Sequence, residues 1–231
     1  MGFLFFNRRL QKTAFVLGMG GIFFLLLAVY LAAYSAKTER FAVDKTYYCV
    51  VRQTAAESVG VWSETAYLDG GAGYVLETDG DIFVALAAYE RESQAKGVAD
   101  ALDRRGTACT VLPLSIGTFY FTDRKSLAVY EQTKDSVFAS LELAGLFYRL
   151  ANGLSAGEYM QREAVSVLEE SRKVLTALCE GCGGGETERM LRECERKCRE
   201  TLSDAVLSSD VRYMQLQLIG GIYALQKVFS I

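Results

Sequence analysis

A chain of 231 residues with 51% hydrophobic side chains and a net charge of −3 has the apolar content to build ordinary cores and is not a disordered polyelectrolyte. Its charge balance gives no basic surface, so nucleic acid is not an expected partner. The absence of histidine removes the commonest general base, no phosphate loop or dinucleotide fingerprint is present, and neither an enzyme nor a cofactor nor a metal is expected.

The chain begins with a short tail, residues 1–13, carrying Arg8, Arg9 and Lys12. Residues 14–34 are uncharged and as a helix would be about 32 Å long, which matches the hydrocarbon core of a bilayer. A transmembrane helix is the expectation there, with the lipid bilayer as its partner. A cleaved secretory signal is the alternative, since Ala33 and Ser35 supply small residues. Basic residues on the two sides tie, because Lys37, Arg40 and Lys45 follow the run. Residues 35–45 read as a linker of at most about 40 Å.

From residue 46 to 114 the chain repeats one pattern. TYYCVVRQ, a short helix-compatible stretch and AGYVLETDG are followed by DIFVALAAYE, RESQAKGVADALDRRG and TACTVLPL. In the second half Ala95, Val98, Ala99 and Leu102 form one helical stripe, and Gly106 is placed to stop it. Two such halves predict a ferredoxin-like β-α-β-β-α-β domain, residues 46–122, with helices on one sheet face. Strand alternation separates Tyr47, Cys49, Val51 and Gln53 from Tyr48, Val50 and Arg52. Trp62 stands at helical spacing from Val59 and Ala66, which points to core packing.

The order of these segments resembles the SPOR domain, the sporulation-related repeat that binds peptidoglycan. The residues that carry the resemblance are 47–53 and 82–89, followed by 95–106 and 108–114. The resemblance implies that Cys49 and Val51, with Ile82, Val84 and Leu86, face the helices. Tyr48, Val50, Arg52, Phe83, Ala85 and Ala87 then line an open face. Glycan would be held by Tyr48, Arg52, Gln53, Tyr74, Phe83 and Tyr89, through rings against sugar C–H faces and planar groups bonding hydroxyls. It further implies a non-catalytic, single-pass protein of the bacterial cell membrane with a cytoplasmic N-terminus, binding peptidoglycan glycan strands in sporulation or cell division. The chain departs from the family at Val50, where a glutamine is usual, and at Arg52, where a small residue is usual. The face is therefore more apolar than a sugar platform, and the alternative is a scaffold: the helical tail covers the sheet and the bundle recruits another envelope or septal protein.

Residues 123–231 read as a helical bundle. Asp123 is placed as an N-cap, and Leu127, Tyr130, Val137, Phe138, Leu141 and Leu150 keep an amphipathic rhythm to Ala151, where Asn152 and Gly153 break it. A second helix is expected over 156–179 with Met160, Ala164, Val167, Leu168 and Leu175 inward. Glycines within 181–185 turn the chain into a third, 188–208, with Thr187 placed to cap it. A fourth starts at Ser209 or Asp210. Its sequence is apolar but interrupted by Gln215, Gln217, Gln226 and Lys227, so it reads as a bundle helix or a surface for another chain rather than a second span. Cys179 and Cys182, with Cys194 and Cys198 across the glycine turn, suggest disulfides, nested as Cys182 with Cys194 and Cys179 with Cys198. Zinc and free core thiols are the alternatives. Cys49 and Cys109 either bridge or stay as buried thiols.

Overall fold

The computed structural model describes residues 38–182 and 185–230. Strand β1 (Glu39–Thr54) leads through a short 3-10 turn into α1 (Val59–Leu68), β2 (Tyr74–Thr78), β3 (Asp81–Tyr89), α2 (Glu92–Asp103) and β4 (Thr110–Phe121). The strands form one antiparallel sheet in the order β2-β3-β1-β4. Residues 39–45, read from sequence as linker, are strand: β1 pairs with β4 from Val51↔Thr110 to Glu39↔Phe121, through a bulge at which Asp44 takes a φ of 48°. Pro113 lies opposite Tyr48 within β4. It is tolerated because β4 is an edge strand, where a missing N–H need not cost a ladder bond.

Both faces of the sheet are covered. On one side Val50 packs with Ala95 and Ala99 of α2, and Tyr48, Val98, Leu102, Cys109 and Val111 close around them. On the other side Tyr47, Cys49, Val51, Leu76, Phe83 and Ala85 belong to a single large core that continues into the C-terminal helices. The expected orientation of β1 is therefore reversed: Tyr48, Val50 and Arg52 look toward α1 and α2, and Cys49 and Val51 look toward the bundle. The register explains the discrepancy, since it sets Arg52 beside Val84 and Val51 beside Ala85. Both sets of β1 side chains are largely apolar, as expected for a strand buried on two sides, so alternation alone does not say which layer each set meets.

The bundle comprises α3 (Arg124–Ala128), α4 (Tyr130–Ala156), α5 (Gln161–Gly181), α6 (Glu186–Thr201) and α7 (Ser208–Val228). Asp123 caps α3: its Oδ1 accepts from the backbone N–H groups of Ser126 (3.0 Å) and Lys125 (2.8 Å), and these bonds hold its carboxyl below the ordinary value. Asn152 and Gly153 do not end the next helix. Gly153 instead makes room within the helix for the Tyr159 ring, and α4 runs on to Ala156, where Gly157 with a φ of 72° stops it.

Helix α7 lies against the sheet and joins the layers. Gln215 Nε2 donates to Ala88 O (3.1 Å), the hydroxyls of Tyr223 and Thr78 meet at 3.2 Å, and Tyr120 N–H donates to Phe229 O just past the helix end (2.7 Å). At its start, Asp210 Oδ1 accepts from Tyr67 Oη of α1 (3.0 Å) and from Lys197 Nζ of α6 (2.8 Å), while Arg212 Nη1 donates to Gly70 O (3.1 Å). Gly220 and Gly221 allow the close approach. A β-carbon on Gly220 would stand 3.0 Å from Tyr74, and one on Gly221 would stand 2.4 Å from Met190.

The expected fold class, a membrane-spanning helix followed by a two-layer SPOR-type domain and a separate bundle, is thereby corrected. The described residues form a mixed α+β fold of one four-stranded sheet and seven helices, and none of those helices is long and apolar enough to cross a membrane. Residues 14–34, on which the membrane-spanning expectation fell, lie outside the described residues, as does the tail 1–13.

All six cysteines are free thiols in the structure. Cys194 and Cys198 are fully buried on α6. Cys198 Sγ donates to Met214 Sδ (3.1 Å), and Cys182 Sγ lies 3.5 Å from Ser136 Oγ. The nested disulfides expected from spacing are not formed, because these residues act as small core side chains facing α4 and α7 as well as each other. Among the described residues no group of three or more Cys, Asp or Glu is placed to hold a metal ion. The hydrogen bond with Cys198, followed by burial, raises the Cys194 thiol well above its ordinary value, and burial pushes Cys49 up to about 12.

Two glycines in helices separate packing from propensity. Replacing Gly221 by valine should lower the urea midpoint by an amount equivalent to about 1–3 kcal/mol, because Met190 is itself buried and cannot swing clear. Gly97→Ala, where nothing lies within 4 Å, should raise stability by up to about 1 kcal/mol; a stabilised Gly221→Val variant would contradict this packing. Thiol labelling of the native protein at pH 8 should modify half-buried Cys109 and Cys182 well before Cys49, Cys194 and Cys198, and uniform labelling would contradict their burial. Raised folded-state values keep Cys49 and Cys194 protonated, so stability measured by urea unfolding should fall as pH rises through 9.0, where unfolded thiols ionise.

Candidate functional site

The six residues expected to hold glycan do not share a surface. Phe83 belongs to the large core between sheet and bundle and is only 8% exposed. Tyr48 packs into the small cluster under α2. Tyr89, opposite Tyr48 in the β1–β3 register, sets its ring edge-on to Tyr148 at 5.9 Å. Gln53 is at the far end of β1, donating to Asp81 Oδ1 (3.1 Å). Arg52 and Tyr74 each line a concavity, but on opposite sides of the sheet.

The first concavity is a cleft of about 80 Å³ between α1 and α2, floored by Val84 and Leu86 and flanked by Thr65, Leu102 and Thr107. Arg52 lies over the Trp62 ring, 3.2 Å from its centre. Trp62 is thus half-buried and serves as a platform for a cation instead of filling the core, which its helical spacing alone did not reveal. The cleft exists because α1 buries only Ala66. Its outer stripe instead leaves Val61 and Leu68, seven residues apart on one helical face, 66% and 75% exposed.

The second concavity is a groove bounded by β2, α6 and α7. Two adjoining cavities, of about 400 and 360 Å³, share Tyr74, Gly220 and Ala224. One continues along Val75, Leu76 and Glu77 of β2, the other along Met190 and Glu193 of α6. The Tyr74 ring stands edge-on to Tyr213 at 5.4 Å, and burial pushes its phenol up to about 12. Gln217 also lines the groove: it is 7% exposed, and its Oε1 has no hydrogen-bond partner. Sequence pattern flagged Gln217 only as a polar break in an apolar helix. Its role depends on how α7 is seated, and no local signal carries that.

Neither concavity brings together a nucleophile and a base. What they offer is recognition: a stacked guanidinium beside an apolar floor in the cleft, and a buried acceptor, Gln217 Oε1, beside a sheet edge in the groove. No family model, no curated protein and no solved structure matches the chain, and nothing in these comparisons identifies a SPOR domain.

Proposed function

We propose that this chain is a non-catalytic interaction module that presents a rigid three-layer body to another protein chain. The observation that carries the reading is the double coverage of the sheet. Val50 is completely buried under α2, and Phe83 is buried under the bundle, so the surface expected to lie along glycan is spent on internal packing. Recognition is left to features that suit a polypeptide: the exposed Val61–Leu68 stripe of α1, the Arg52–Trp62 cleft and the groove at the β2 edge. The histidine-free sequence is in keeping with a role that binds without transforming.

Peptidoglycan binding is the second reading, and one observation favours it. A guanidinium stacked on an indole, with no ion pair or hydrogen bond among the described residues, is chemistry that also serves a sugar bearing a carboxylate.

The two readings separate in one pair of measurements. Full-length protein carrying a photo-cross-linker at Val61, Leu68 or Val75 should yield the same protein adduct in source cells, while a cross-linker at exposed Glu142 on α4 yields none. Co-sedimentation with purified sacculi should leave the protein in the supernatant. Retention on sacculi that disappears in Arg52→Ala or Trp62→Ala, with no protein adduct, would overturn the proposal in favour of glycan.

A further inference from the structure

We propose that the groove between β2, α6 and α7 receives an extended, basic segment of a partner protein, which joins the sheet as a strand beside β2 and inserts a lysine or arginine side chain. This rests on the reading of the chain as a protein-interaction module and gives that reading a place and a partner chemistry.

The backbone comes first. β2 is the outermost strand, and among the described residues no hydrogen bond beyond its ladder with β3 engages the backbone of residues 74–78. An unpaired strand edge is complementary to another extended chain, which would satisfy its alternate N–H and C=O groups. Side chains of an added strand alternate between the two faces of the sheet. Those on the bundle side enter the groove, where Gly220 and Ala224 of α7 leave the space open beside Tyr74 and Leu76.

The charge of the lining selects what enters. Gln217 Oε1 is a buried acceptor with an unmade hydrogen bond, and leaving such a group unsatisfied is costly. On the α6 wall of the groove, the carboxylate of Glu193 has no ion-pair partner among the described residues. The cations along the groove are engaged: Arg189 pairs with Glu186, and Lys227 lies over the Tyr223 ring at 4.7 Å. Unspent acceptors beside an aromatic wall fit a donor-rich cation and disfavour a carboxylate or phosphate. A lysine or arginine on an incoming strand supplies that donor, and apolar neighbours two residues away cover Ala224.

Selection of short random peptides on the immobilised full chain tests this. Enriched peptides should alternate β-branched residues with lysine or arginine. A synthetic peptide of that pattern should bind, with affinity falling about tenfold or more on Glu193→Lys, and likewise on Ala224→Trp, which fills the groove from an exposed position. Methylating alternate backbone nitrogens of the peptide should abolish binding without touching the protein. Circular dichroism of each variant confirms that it folds. Enrichment of acidic peptides, no enrichment at all, or binding indifferent to both Ala224→Trp and peptide methylation would overturn the proposal. Protein adducts that still form from Val61 or Leu68 would then show that only this site is wrong, whereas loss of adducts everywhere would sink the broader reading.

Discussion

The seating of α7 on the sheet is the constraint on which the rest depends. A helix can approach its neighbours this closely only where its side chains vanish: Gly220 supplies that gap against Tyr74 of the sheet, and Gly221 against Met190 of α6. Polar bonds then fix its placement at both ends. Asp210 gathers Tyr67 and Lys197 at one, and Tyr120 holds the Phe229 carbonyl at the other. The Lys197–Asp210 pair is largely buried, so its worth lies less in net attraction than in the penalty for any arrangement that leaves either charge alone. The distant helix α1 and the consecutive helices α6 and α7 are joined at a single carboxylate.

Function follows from that coverage. A sheet with helices on one side only has a broad face to offer, and a flat polymer such as glycan suits such a face. Once α7 and α4 occupy it, what remains is edges and clefts, whose chemistry is local: a stacked guanidinium in one place, unpaired acceptors beside a strand edge in another. Such places read short segments with defined side chains and backbone direction, which is the character of protein–protein recognition.

Local features were legible in the sequence. The Ala95–Ala99 stripe, the Gly106 stop and the Asp123 cap depend on neighbours within a turn or two, and the structure has them where the pattern puts them. Features set by distant partners were not legible. Residues 39–45 look like a polar linker because their strand character comes from pairing with residues 116–121, far along the chain. The two faces of β1 could not be assigned from alternation when both sets are apolar. Cysteine spacing could not separate stapled helices from thiols used as small core side chains, since that depends on whether α4 and α7 supply a third wall. The groove acceptors were invisible for the same reason: Gln217 becomes a lining residue only after α7 is seated.

If α7 joins the layers in this way, sheet and bundle are one cooperative body. Urea unfolding followed by two signals tests it most directly. Trp62, the only tryptophan, reports on the side of the sheet away from the bundle, while far-ultraviolet circular dichroism is dominated by α4 to α7. The two curves should superimpose with a common midpoint. A tryptophan transition clearly separated from loss of helix would mean that the layers fold independently and that α7 does not unite them.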